Sequence, residues 1–148
     1  MSTLSYAGYT EWLQDATLTG LTSCQLSSTQ TVETLALGTS LYCRLVDTTG
    51  STITFISSIY SIGTGSFSEI QSICALSSNT FVVVYRGASD YLYAVAGTIS
   101  SNTITLGTAV NVSNSVAVSL SYSITNVASN SYVIAYYNNT NIILRTVS

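Results

Sequence analysis

With 148 residues, three arginines as its only basic groups, six acidic residues and neither lysine nor histidine, the chain excludes several functions before any motif is read. Nucleic-acid binding by phosphate neutralisation needs several clustered cations, and imidazole triads and imidazole metal sites need histidine. The length supports one core that buries roughly 70% of the extended chain's surface, and 47% hydrophobic residues suit a single sheet-rich domain over 1–148 that also buries surface in a homo-oligomer.

Ser, Thr or Gly interrupts every apolar stretch well before the ~18 residues of a bilayer helix, so no membrane span is expected. The start, Met1-Ser2-Thr3-Leu4-Ser5-Tyr6, lacks the charged and apolar regions of a signal peptide. Synthesis in a cytoplasm is the expectation, with secretion or a cell-surface location as the alternative. Three cysteines, an odd number, argue against a disulfide framework and read as small buried apolar groups. Nothing in the chain calls for a cofactor.

In chain order, residues 3–7 read as a strand. Residues 10–16 form the one weak helix candidate, opened by Thr10 as N-cap, although their register also continues the strand pattern. Within them Trp12, flanked by Glu11 and Asp15, is a candidate ligand-binding aromatic, set against a packing role. Beyond them a repeat emerges. Cys24-Gln25-Leu26-Ser27-Ser28 recurs as Cys74-Ala75-Leu76-Ser77-Ser78, and Leu41-Tyr42-Cys43 as Leu92-Tyr93-Ala94. Ser78-Asn79-Thr80-Phe81 recurs as Ser129-Asn130-Ser131-Tyr132, and Leu41-Tyr42-Cys43-Arg44 aligns with Ile142-Ile143-Leu144-Arg145.

The spacing of about 50 residues divides the chain into units near 22–72, 73–124 and 125–148, the last completed by 1–21. Residues 3–7 align with 103–107, so the N-terminal strand is expected to supply the third unit's missing strand and close a ring, removing open sheet edges. Each unit reads as about four short strands, placed in the second unit at 69–76, 80–86, 91–99 and 103–112. The run Phe81-Val82-Val83-Val84-Tyr85 is short, β-branched and opened by a Ser-Asn turn, the pattern of a strand packed on both faces. The chain has no proline, so every residue can donate to a ladder.

The fold expected is all-β and propeller-like, with three pseudo-symmetric units; a β-trefoil or β-prism is the alternative at this length. Three units are few for a propeller. They close tightly around a filled axis, or two chains join in a six-bladed ring.

The stretch Ala75-Leu76-Ser77-Ser78-Asn79-Thr80-Phe81-Val82-Val83-Val84-Tyr85-Arg86, followed by Ala94-Val95-Ala96-Gly97-Thr98-Ile99-Ser100 and Thr103-Ile104-Thr105-Leu106-Gly107-Thr108, resembles the propeller-type repeats of tailed-bacteriophage structural proteins and aquatic bacterial surface proteins. It covers the second unit well, the third in part and the first poorly. The resemblance implies a role in binding and assembly without catalysis: a capsid decoration or cement protein, or a small fibre component, located in the virion and joined to capsid or tail proteins.

The residues themselves leave a second class open, a small carbohydrate-binding lectin. Sugars stack on aromatic faces while planar polar groups reach their hydroxyls, and the chain has eleven tyrosines. The best cluster is Tyr85-Arg86-Gly87-Ala88-Ser89-Asp90-Tyr91, a turn presenting a cation, an anion and two aromatics; its plainer reading is an Arg86–Asp90 ion pair across a hairpin. Tyr136 and Tyr137 repeat the corner without the charges. Arg44 and Arg145, equivalent across two periods, are read as interface or solvated-face residues on an alternating strand. The six acids share no spacing that would pair two of them for glycoside hydrolysis, so the expectation is a protein that is not an enzyme.

Overall fold

Short runs of β-branched and aromatic residues, cut by Ser, Asn and Gly turns, pair locally as antiparallel hairpins. The computed structural model describes residues 5–6, 18–49, 52–64, 71–114, 117–118 and 121–147. The first group of strands comprises β1 (Ser5–Tyr6), β2 (Leu18–Gln25), β3 (Gln30–Leu37), β4 (Ser40–Asp47), β5 (Thr52–Phe55) and β6 (Tyr60–Thr64). Next come β7 (Ser72–Ser77), β8 (Thr80–Arg86), a short 3-10 turn at Ala88–Asp90, β9 (Leu92–Ser100), β10 (Thr103–Leu106) and β11 (Val110–Asn111). The chain ends with β12 (Tyr122–Ala128), β13 (Ser131–Tyr137) and β14 (Ile142–Val147). The protein is all-β, with no α-helix among the described residues.

The strands form three sheets, none of them closed. Their orders are β1-β5-β4-β3-β2 with β6 on β4, then β10-β9-β8-β7 with β11 on β9, then β12-β13-β14. Turn chemistry sets the hairpins. Ser101 and Asn102 both have positive φ between the paired Ser100 and Thr103, the two-residue primed turn that matches strand twist. Gly38 and Asn130 take the left-handed positions of the β3–β4 and β12–β13 turns, where a bulkier residue would be strained.

The middle sheet is packed on both faces, and β8 shows why its sequence is unbroken. Phe81, Val83 and Tyr85 join a core with Val32, Leu41, Cys43 and Leu45 of the first sheet. Val82 and Val84 point the other way and join Ile124, Tyr132, Ile134 and Tyr136 of the third. Side chains alternate across a pleated strand, so two cores demand apolar residues at every position. Polar links fasten the layers: Asn126 Nδ2 donates to the Ala75 carbonyl at 3.0 Å, and the Ile124 amide donates to Ser72 Oγ at 3.2 Å.

One expectation is corrected. Ser5 and Tyr6 pair in parallel with Thr52 and Ile53 of β5, within the first sheet, and do not complete the third. The third sheet has three strands among the described residues, so the N-terminal strand closes no ring. A short parallel pairing on β5 satisfies the backbone of the N-terminal strand and caps the outer edge of the first sheet instead. Residues 10–16, and with them Trp12, lie outside the described residues.

Candidate functional site

The Tyr85–Tyr91 corner is built by backbone geometry. The Gly87 amide donates to the Tyr91 carbonyl at 2.9 Å, and Ser89 and Asp90 are both left-handed, at φ 59° and 61°. This turns the chain between β8 and β9. Arg86 Nη1 lies 3.5 Å from Asp90 Oδ1, the ion pair that the plainer reading anticipates. Tyr85 is not presented to a ligand: it is only 6% exposed and stacks on Tyr93 with centroids 5.8 Å apart. A ring at the first apolar position inside the corner gains more by joining the core than by facing water. The corner therefore offers the exposed Asp90 and the half-buried Tyr91, without the aromatic platform expected of Tyr85.

Arg44 and Arg145 hold equivalent ladder positions, since Arg44 opposes Glu33 and Arg145 opposes Ile134. Their surroundings differ. Arg44 is 7% exposed, which corrects its reading as a solvated-face residue. Its Nε and Nη2 both donate to Glu33 Oε2, at 3.0 and 2.9 Å, and its guanidinium lies 3.5 Å above the Phe55 ring. A planar cation that finds a carboxylate and an aromatic face need not reach water. Arg145 is half-buried; its Nε donates to the Tyr136 hydroxyl at 3.2 Å and its Nη1 to Asn114 Oδ1 at 3.0 Å.

Tyr136 and Tyr137 point to opposite faces of β13. Tyr136 is buried in the core between the second and third sheets, whereas Tyr137 is exposed. Both border a surface groove of about 540 Å³ that also touches Ser121, Ser123, Ala135 and Ile142. The outward face of the third sheet continues from this groove. Its cross-strand rows follow from the ladder: Thr125, Val133 and Thr146, then Ser123, Ala135 and Leu144, then Tyr137 and Ile142. Ile142 is 78% exposed and Leu144 71%, and no residue in these rows carries a formal charge at neutral pH. Residues 142–144 read along the chain as one apolar run; only the register separates the outward Ile142 and Leu144 from the inward Ile143.

Among the described residues, no group of three or more His, Cys, Asp or Glu stands together. Burial pushes the Cys43 thiol up to about 12, and burial followed by the neighbouring Cys74 does the same for Cys24, so these thiols stay protonated and weakly nucleophilic. What the arrangement does offer is a broad, uncharged sheet face with a groove at one end. No protein-family model matches the chain, and no curated protein or solved structure matches it significantly.

Proposed function

We propose that the protein is a non-enzymatic structural component of a bacteriophage virion, a capsid decoration or cement protein or a small fibre component, that acts by protein–protein adhesion. The observation that carries this reading is the outward face of the third sheet, where Leu144 and Ile142 stand exposed in rows without a charge. Exposed aliphatic side chains on an uncharged face gain free energy when another protein covers them. The three sheets are taken as propeller-like units of about 50 residues stacked in an open arc, the middle one supported from both sides. The protein's partners on this reading are capsid or tail proteins and further copies of itself, and its place is the virion, after synthesis in the host cytoplasm.

The test is co-sedimentation of the purified protein with particles that lack it. Recovery in the particle fraction at a fixed ratio to the shell subunit is expected; a protein that stays in the supernatant at every ratio overturns the reading.

The groove beside Tyr137 favours a second reading, a lectin, since an exposed ring with serine hydroxyls at its rim suits a sugar. A glycan array separates the two: a specific hit abolished by Tyr137→Ala supports the lectin.

A further inference from the structure

We infer that the outer edge of β14 is a docking site for an extended segment of a partner protein, which joins the third sheet as an added antiparallel strand. The inference rests on the adhesive reading for the source of that segment, a shell or tail protein, and names how it is held.

The first two sheets show what this edge accepts. β4 carries β5 and β6 along its outer edge, and β9 carries β10 and β11. The bonds fall at equivalent places. The Ile56 amide donates to the Leu45 carbonyl at 3.1 Å, the Gly107 amide to the Ala96 carbonyl at 2.8 Å, and the Val112 amide to the Leu92 carbonyl at 2.8 Å. The repeat that aligns Leu41 and Leu92 with Ile142 carries Leu45 and Ala96 onto Thr146. Bonding direction alternates along a strand, so Ile142, Leu144 and Thr146 turn their amides and carbonyls to the outer edge, and the residues between them bond to β13. Among the described residues no strand meets that edge.

Elsewhere the edges are blunted. The outer strands β1, β6, β10 and β11 have two to five residues, short enough to limit pairing with other chains, and the inner strands β2, β7 and β12 lie beside one another. β14 has six residues, with no proline, no lysine and one charge. That charge does not bar a strand: Arg44 holds the equivalent position of β4, which is paired on both sides.

The same neighbours give the chemistry of the occupant. Thr52-Ile53-Thr54-Phe55 and Thr103-Ile104-Thr105-Leu106 alternate small polar with apolar residues; Thr103 and Thr105 are exposed and Ile104 is buried. Phe55 pairs with Val46 and Leu106 with Gly97, both equivalent to Val147. From its place beside Val46, Phe55 covers the Arg44 guanidinium. Arg145, the equivalent cation, has the Tyr136 hydroxyl and Asn114 as polar partners and no ring over it among the described residues. The occupant is therefore a segment of alternating small polar and apolar residues, with an aromatic ring beside Val147 that stacks on Arg145.

The probe is a fluorophore-labelled peptide of residues 52–64 of this chain, Thr-Ile-Thr-Phe-Ile-Ser-Ser-Ile-Tyr-Ser-Ile-Gly-Thr, added to the purified full chain. Its anisotropy is expected to rise with half-saturation below about 1 mM. Hydrogen exchange at Leu144 and Thr146 is expected to slow at least about tenfold, while Ile143 and Arg145, already bonded to β13, stay as they were. N-methylation of the peptide's Ile56 amide and Thr146→Pro in the protein are each expected to weaken binding about tenfold or more. Proline at 146 takes its N–H from the outer edge and leaves the β13 ladder whole; an unchanged circular dichroism spectrum verifies folding, and the methylated peptide needs no variant protein. Absence of saturable binding overturns the inference, as does binding that leaves the two amides unchanged or that survives both modifications. Slow exchange at those amides in dilute protein alone means that the chain covers its own edge, and slow exchange that appears only as protein concentration rises means that a second copy does; either overturns the inference. Peptide binding by protein that never sediments with particles supports the edge site and removes the virion reading. Particle binding that Thr146→Pro leaves intact overturns the edge site and keeps that reading.

Discussion

Gly97 shows how closely the first core is filled. It opposes Phe81 across the β8–β9 ladder, and a Cβ there would lie 2.2 Å from Phe81 Cζ. The ring lies over the glycine and is itself completely buried, so it has nowhere to retreat. Gly97→Ala is expected to destabilise the fold by about 1–3 kcal/mol, the usual cost of overpacking, as read from the denaturant midpoint. Glu33 makes the complementary point. Glu33→Ala would leave the Arg44 guanidinium in place without its carboxylate, at a cost of about 3 kcal/mol, the lower end for breaking a buried pair because Glu33 itself is partly exposed. Changing both partners together, Glu33→Leu with Arg44→Met, is expected to recover most of that loss in the same assay, since the uncompensated charge is then gone.

Among the elements, β8 was the most legible. Its five apolar residues between turn formers place the strand at Thr80–Arg86, where it is observed, because a strand between two cores needs no polar alternation. The hairpin partners follow almost as closely: β9 begins one residue later than the expected 91 and the expected 103–112 strand breaks into β10 and β11. The N-terminal strand was not legible. Residues 3–7 do share a pattern with 103–107, but two short strands of similar composition pair with whichever edge lies nearest, and the edge taken by Ser5 and Tyr6 is β5. The candidate sites divide for a related reason. A turn such as 86–91 declares its ion pair through local spacing, whereas the burial of Tyr85 and Arg44 depends on neighbours far along the chain. For β14, the outward Ile142 and Leu144 become visible only once the register is known.

For the whole molecule, titration reports on the two cores together. Burial raises the thiols of Cys24 and Cys43 from the ordinary 9.0 to about 12, and that of Cys74 to about 11. Burial also raises the Tyr85 and Tyr132 phenols. A group whose folded value lies above its unfolded value contributes stability that is complete below the unfolded value and is lost as pH rises through the folded one. The denaturant midpoint is therefore expected to hold steady through neutral pH and to fall between pH 9 and pH 12. Cys24→Ala with Cys43→Ala is expected to flatten that fall in part, and a midpoint indifferent to alkaline pH would contradict the burial of these thiols.

Assembly is the whole-molecule property on which the functional proposal depends. The proposed contact is the outward face of the third sheet, where Ile142 and Leu144 stand exposed. The most direct measurement is co-sedimentation with particles lacking the protein, comparing the wild-type chain with Leu144→Asp at matched concentration. The wild type is expected in the particle fraction and the variant in the supernatant, because an unpaired carboxylate at position 144 would be driven into the contact. Equal recovery of the two proteins with the particles would contradict the assignment of adhesion to the third sheet.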